Sequence, residues 1–269
     1  THLRGAALLA GEGALRSGAG LVRLHAPGCL REAVTLALPE AIASPWARGE
    51  GRLHALPAGD YSALLKASDA LVVGPGIGTA PGTQAFVRGL LAARAAMRGA
   101  RPPLVLDADG LTLLAACPEW RPLLDAEVVL TPHPGEAARL LGCTAAEVQA
   151  GRWEAAEQLA ARFSATVVLK GWGSLVATAG GSTSHIPAGN SALSRGGSGD
   201  VLAGLLGGLA ACGIPVEGAA RLACFVHGLA ADLAVARESA RGLRLHDVLA
   251  HIPRAFRQLE TFPAPHGLR

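Results

Sequence analysis

Aromatic side chains make up only 4% of the 269 residues, so large rings cannot carry the core. Half of the chain is nevertheless apolar, with Ala, Leu, Gly and Val abundant. A large core is therefore expected from aliphatic strands and small-residue helix faces, a composition that suits helices packed closely on a parallel sheet. Charge is weak as well, a formal +3 with the basic residues scattered. Non-specific nucleic-acid binding needs a concentrated basic face, so no such partner is expected. The five cysteines (Cys29, Cys117, Cys143, Cys212, Cys224) include no pair with metal-ligand or redox spacing. They read as reduced core thiols of a cytoplasmic protein. The longest apolar run, Val201 to Ile214, is too short and glycine-rich to cross a bilayer. Glu12 and Arg16 interrupt the N-terminal apolar pattern as no signal-peptide core would tolerate, so no membrane is expected. There is no repeat, low-complexity tract or interdomain linker, and residues 1–269 read as one domain. Position 1 is Thr and a helical pattern follows within a few residues, so an N-terminal piece is expected to be absent from this segment.

Ala6, Leu9, Gly13, Ala14 and Ser17 lie near helical spacing, and Gly18 closes that segment. Leu21–Leu24 reads as a strand. Further aliphatic runs recur at 70–73, 104–106, 128–130 and 166–169, each bounded by Pro, Gly or Asp. Helical patterns at 83–97, 110–116, 134–141 and 152–163 separate most of them, and Thr144 with Glu147 forms a capping box. This alternation predicts an α/β fold with three α/β/α layers and a mostly parallel, doubly wound sheet. After Lys170 the rhythm changes. Residues 174–178 and 182–186 flank Ala179-Gly180-Gly181 as a hairpin. From Gly199 onward two apolar helices and an amphipathic one at 246–259 are expected.

The strongest motif is Arg195-Gly196-Gly197-Ser198-Gly199-Asp200, running straight into a helix at 201–211. Glycines let backbone N–H groups converge, and the helix adds its positive end, which makes a cradle for a phosphate in transfer. Asp200, in the first turn, could take the proton of a hydroxyl presented to that phosphate. The same run would also serve as a plain turn with Asp200 stabilising the helix start, and the residues alone leave both readings open. Gly74-Pro75-Gly76-Ile77-Gly78 follows a strand, where open parallel sheets bind ligands. Asp107 and Asp109 follow another, a pair suited to water-mediated Mg²⁺, to substrate hydroxyls or, for Asp109, to helix capping. Pro132 and Pro134 fix His133 at a strand exit, which favours it over Glu136 as a ligand contact, with capping as the alternative. Lys170 ends a strand beside Gly171 and Gly173. It could reach a nucleotide phosphate or face solvent.

In this order these elements resemble the ADP/ATP-dependent NAD(P)H-hydrate dehydratases of the ribokinase-like superfamily. The likeness runs from about Gly5 to Leu259. It is carried by Gly5–Ala7, Ala14–Gly20, Gly74–Gly78, Asp107–Leu111, Thr131–Glu136, Lys170-Gly171, and Gly189-Asn190 leading to Gly196–Gly208. The resemblance implies phosphorylation of the ring hydroxyl of hydrated NADH or NADPH by ADP or ATP with Mg²⁺, then loss of phosphate. It implies Asp200 as catalytic base and substrate contact. Nucleotide contacts would come from Lys170, Gly171, Trp172, Gly173, Ser174, Gly196, Gly197, Ser198 and Gly199. The hydrated cofactor would meet Ala6, Gly76, Gly78 and His133. No metal ligand is assigned. The family pattern usually opens with a strand and a Gly-Gly-Ser turn that this chain lacks, so the first strand is expected to be missing. A homo-oligomer is also expected, and an epimerase domain fused to or paired with the full-length protein. A hydroxyethylthiazole-type kinase would share the cradle and aspartate but release a stable phosphoester. A nucleotide-binding module without turnover would share the cradle alone.

Overall fold

The computed structural model describes residues 5–26, 28–45 and 53–261. Helix α1 (Ala6–Arg16) leads into strand β1 (Arg23–Ala26), a 3₁₀ turn, helix α2 (Arg31–Ala37) and strand β2 (Ile42–Pro45). β1 and β2 pair in parallel as a separate two-stranded sheet. The strand expected at Leu21–Leu24 thus starts two residues later and lies outside the main sheet. Its inward residues Val22, Leu24 and Ala26 form a small core with Val34 and Leu38 under one flank of α1.

Among the described residues the main sheet has six strands: β3 (Leu71–Val73), β4 (Leu104–Leu106), β5 (Val128–Leu130), β6 (Thr166–Leu169), β7 (Ser174–Ala177) and β8 (Thr183–Ile186). β3 to β6 are parallel and β6–β7–β8 antiparallel, the last two forming the expected hairpin. Helices α3 (Ala58–Lys66), α4 (Pro81–Ala95), α5 (Asp109–Ala116), α6 (Pro134–Leu141), α7 (Ala145–Ala150) and α8 (Arg152–Phe163) precede or connect the parallel strands. Then α9 (Ser198–Ala211), α10 (Val216–Val235) and α11 (Leu245–Glu260) end the fold. The continuous apolar strands divide their side chains by pleat. Leu104, Leu106, Val128, Leu130, Val167 and Leu169 enter the core under α4 to α8, whereas Val105, Val129 and Val168 enter the core under α9 to α11.

The three layers and the mostly parallel sheet, with helices packed on both of its faces, are as expected. Among the described residues the strands of this sheet lie in sequence order, β3 to β8. Right-handed crossovers then keep every connecting helix on one face. The other face is covered by helices from the end of the chain, with α1 packed on α9. That crossing depends on small residues: a Cβ on Gly204 would strike the Ala10 carbonyl, and one on Gly208 the Ser17 hydroxyl and the Ala14 carbonyl. Among the described residues α1 is the first element. Among the described residues one helix, Val216–Val235 rather than the 201–214 run, is long and apolar enough by length and composition to cross a membrane. It is more than half buried and contributes Ala219, Ala220, Ala223 and Val226 to the core.

Register places the site. Val73 is paired with Leu106, and Leu106 with Leu130, so β3, β4 and β5 end level. Asp107 N then donates to Val73 O, Thr131 N to Leu106 O, and Lys170 N to Pro132 O. The residues after these strands consequently share one edge.

Candidate active site at the strand exits

At the β3 exit a Cβ on Gly74 would collide with the carbonyl of Asp107, so glycine is obligatory for the two loops to touch. Gly76 and Gly78 both have positive φ. Gly78 N donates to Asp109 Oδ2 at 2.7 Å. Asp109 thus does not cap its own helix. It fastens one strand exit to the next. The residue between them, Ala108, has φ +48°, a conformation costly for a side chain with a Cβ.

Asp107 is 1% exposed. Its Oδ1 accepts the Thr131 hydroxyl at 2.7 Å and the Lys170 ammonium at 2.7 Å. Lys170 Nζ also lies 3.8 Å from Glu136 Oε2. A solvent-facing Lys170 is therefore overturned: its side chain is 18% exposed and aimed into the carboxylate cluster. A Cβ built on Gly199 would sit 3.2 Å from Lys170 Nζ and 3.8 Å from Asp107 Oδ2. The cluster and the cradle share that wall.

His133 is the N-cap of α6. Its Nδ1 accepts from Gly135 N at 3.0 Å and Glu136 N at 3.4 Å, while Glu136 accepts from His133 N at 2.8 Å. The capping geometry is therefore present, and Nδ1 is committed to it. The ring stays half exposed, with Nε2 3.5 Å from Glu136 Oε1. Glu136, which the sequence ranked below His133, is buried and faces Lys170.

In the cradle Gly197 is left-handed (φ +90°), and a Cβ there would strike Leu9 of α1 and approach Leu245 of α11. Ala6 is buried and opens α1 one turn before Leu9. Gly196 is exposed and has nothing within 4 Å of a Cβ position, so the cradle opens there. Ser198, buried at the first position of α9, lies 3.5 Å through its hydroxyl from His227 Nε2. Burial, with the nearby Lys170 charge, pushes that imidazole down to about 4. The Asp200 carboxylate, partly buried in the first turn, has no hydrogen bond or ion pair among the described residues. Burial first, then the charge of Asp107, pushes its carboxyl up to about 6. Lys170 opposes the rise, and Asp109 and Glu136 add to it. A carboxylate that caps nothing and titrates near neutrality is suited to accept a proton.

The loop after β6 behaves differently from the sequence reading. The spaces at Gly171 and Gly173 are filled, not open: Arg152 occupies the first and His185 the second. Arg152 donates to the carbonyls of Trp172 (2.8 Å), Leu169 (3.3 Å) and Gly173 (3.0 Å). Trp172 projects outward, 89% exposed, and Ser174 begins β7. Lys170, Gly199 and Asp200 are thus brought together with Asp107 and Glu136, whereas Trp172 is not. Sequence reasoning missed Thr131, Arg152 and His227. Arg152 carried a signal, because a cation in the first turn of a helix opposes the dipole and must be held by something else. His227 carried one too, as a lone polar ring in an apolar helix. All five cysteines are free. Burial pushes the Cys224 thiol up to about 12, which makes it inert.

A family model described as NAD(P)H-hydrate dehydratase matches residues 1–254. The bifunctional NAD(P)H-hydrate repair enzyme of Escherichia coli is 38% identical over 93% of this chain and 44% of its own. An ADP-dependent (S)-NAD(P)H-hydrate dehydratase of Neisseria meningitidis is 43% identical over 69% of this chain and 61% of that one. The chain spans about half the length of the bifunctional relatives it matches. Among solved structures, the ADP/ATP-dependent NAD(P)H-hydrate dehydratase of Bacillus subtilis co-crystallised with ATP and Mg²⁺ superposes with a TM-score of 0.76. It is 30% identical and covers 95% of this chain and 85% of that one. A hydroxyethylthiazole kinase of Pyrococcus horikoshii shares the fold at 20% identity and TM-score 0.60, over 92% of this chain and 95% of that one.

Proposed function

The chain belongs to the NAD(P)H-hydrate dehydratase family, and we propose that it removes water from hydrated NADH or NADPH at the expense of ADP or ATP. The observation that carries this reading is the Asp200 carboxylate, free of hydrogen bonds and ion pairs among the described residues, in the first turn of α9 beside an open glycine cradle. Asp200 takes the proton of the ring hydroxyl as its oxygen attacks the terminal phosphorus of the donor. The new O–P bond forms while the donor's P–O bond breaks, and the Gly196–Gly199 amides with the start of α9 stabilise charge on the moving group. The C–O bond then breaks, phosphate departs, and the neighbouring ring carbon loses a proton to restore the double bond. Donor phosphates meet the cradle and Lys170, with Gly171–Ser174 alongside. The hydrated ring lies toward Ala6, Gly76, Gly78 and His133. Among the described residues no three His, Cys, Asp or Glu side chains converge as a metal cage. Mg²⁺, which supplies charge neutralisation, fits better on the donor's phosphates with one or two carboxylates at most.

On this reading the chain is a single ribokinase-like unit acting on a small molecule in the cytoplasm, as a homo-oligomer. The roughly twofold longer bifunctional relatives support pairing with an epimerase partner. The test is incubation of hydrated NADH with ADP or ATP and Mg²⁺, following near-ultraviolet absorbance and free phosphate together. Recovery of both is expected. A stable phosphorylated product would make the chain a kinase, and nucleotide binding without either signal would make it a binding module.

A further inference from the structure

A lysine side chain has four rotatable carbons and, unguided, keeps its ammonium in water. Lys170 does the opposite. Its ammonium is drawn back across two strand exits to Asp107, whose buried carboxylate cannot be left without partners. Thr131 donates to the same Oδ1 that receives Lys170. Three side chains from the successive ends of β4, β5 and β6 thus form one chain. Backbone bonds from Thr131 to Leu106 and from Lys170 to Pro132 hold its members in register. The result is an ammonium fixed 3.2 Å from the Cβ position of Gly199, against the inner wall of the cradle.

We propose that Asp107, steadied by Thr131, is a positioning residue that acts through Lys170. It holds the ammonium where the phosphoryl group passes between donor and acceptor, instead of leaving it to swing out into solvent. The inference rests on the phosphoryl-transfer reading above. It assigns Asp107 to neither metal nor substrate.

The test is a double-mutant cycle on the intact chain: Asp107→Asn, Lys170→Met, and both together, with kcat, nucleotide KM and Tm measured for each. Asp107→Asn is expected to lower kcat about 10²-fold, the size of a misplaced reacting contact, with nucleotide KM changed only a few-fold. Added to Lys170→Met, the same substitution should cost little more, because residues acting as a unit are non-additive. Thr131→Val keeps both charges and should lower kcat in the same direction by less. If Asp107→Asn fails to fold, the same comparison with Thr131→Val, alone and on Lys170→Met, carries the test. Losses that multiply in the double variant, or a kcat untouched by both Asp107→Asn and Thr131→Val, overturn the inference. An inactive parent protein would instead overturn the functional reading itself.

Discussion

The Gly196–Gly199 cradle and the Gly171–Gly173 loop stand at the same sheet edge, both rich in glycine, and Gly196 in the first does the opposite work of Gly171 and Gly173 in the second. At Gly196 the missing Cβ leaves open space for a ligand. At Gly171 and Gly173 the space is already taken, by the Arg152 guanidinium and the His185 ring. A glycine in a motif therefore reveals that a Cβ is excluded, not what excludes it. The cradle is a surface made of backbone. The loop is a backbone held up by a side chain.

The largest effect should come from the cradle. Asp200→Asn is expected to lower turnover about 10²–10⁴-fold while nucleotide affinity, measured by calorimetry, stays within a few-fold. Near-normal turnover would remove Asp200 from the chemistry. In the unmodified protein kcat/KM should fall as pH drops through about 6, because the base must be ionised. Stability runs the other way. The folded state raises this carboxyl from 3.8 to about 6, so its ionisation destabilises the fold progressively across that interval. Asp200→Asn should therefore raise Tm at pH 8 and leave it little changed below pH 4.

Next comes the loop. Arg152→Ala removes three charge-assisted bonds to carbonyls, each kind worth about 1.5–3 kcal/mol. Nucleotide KM should rise by about 10-fold or more with kcat largely kept. If kcat falls and KM holds, the loop belongs with the chemistry and the contrast with the cradle fails.

Gly196→Ala sharpens the comparison at intermediate scale. The fold has room for the methyl, so Tm should stay unchanged while nucleotide KM rises a few-fold. Gly171→Ala should lower Tm, because the added methyl would press on Arg152. Equal effects on both measures at both positions would erase the distinction.

The smallest effect is expected at His133. Losing its capping side chain should cost about 1 kcal/mol, visible as a lower Tm. If the exposed Nε2 edge also meets the hydrated cofactor, the KM for that substrate rises while the nucleotide's does not. A lower Tm with both KM values unchanged would leave His133 as a cap alone.

Strands β4, β5 and β6 and helices α6 and α8 fall on the expected residues. Their apolar runs end abruptly at Asp107, Thr131-Pro132, Lys170-Gly171 and the Pro134 and Gly151 helix starts. The region from 23 to 66 was poorly legible. β2 is four residues long, and α2 and α3 have Leu30 and Pro57 at their N-caps, with no side-chain cap to announce them. β1 was displaced because its partner, β2, was not recognised. The sheet order was also beyond reach, since alternating strands and helices are equally compatible with a reversing order and with the sequential one observed.

The chain by itself determined where backbone must turn, where apolar runs must be buried on both faces, and that glycines precede Asp200 at a helix start. These are local properties, decided by φ, pleat and dipole within a few residues. Tertiary structure alone decided the partners of the charges. Asp107 meets Lys170 across 63 positions, and Asp109 meets Gly78 across 31. Arg152 leaves its own helix to hold a loop, while the Asp200 carboxylate takes no hydrogen bond among the described residues. A buried charge takes whichever partner the neighbouring strand ends bring within reach. That neighbourhood is set by sheet order, which no local pattern contains.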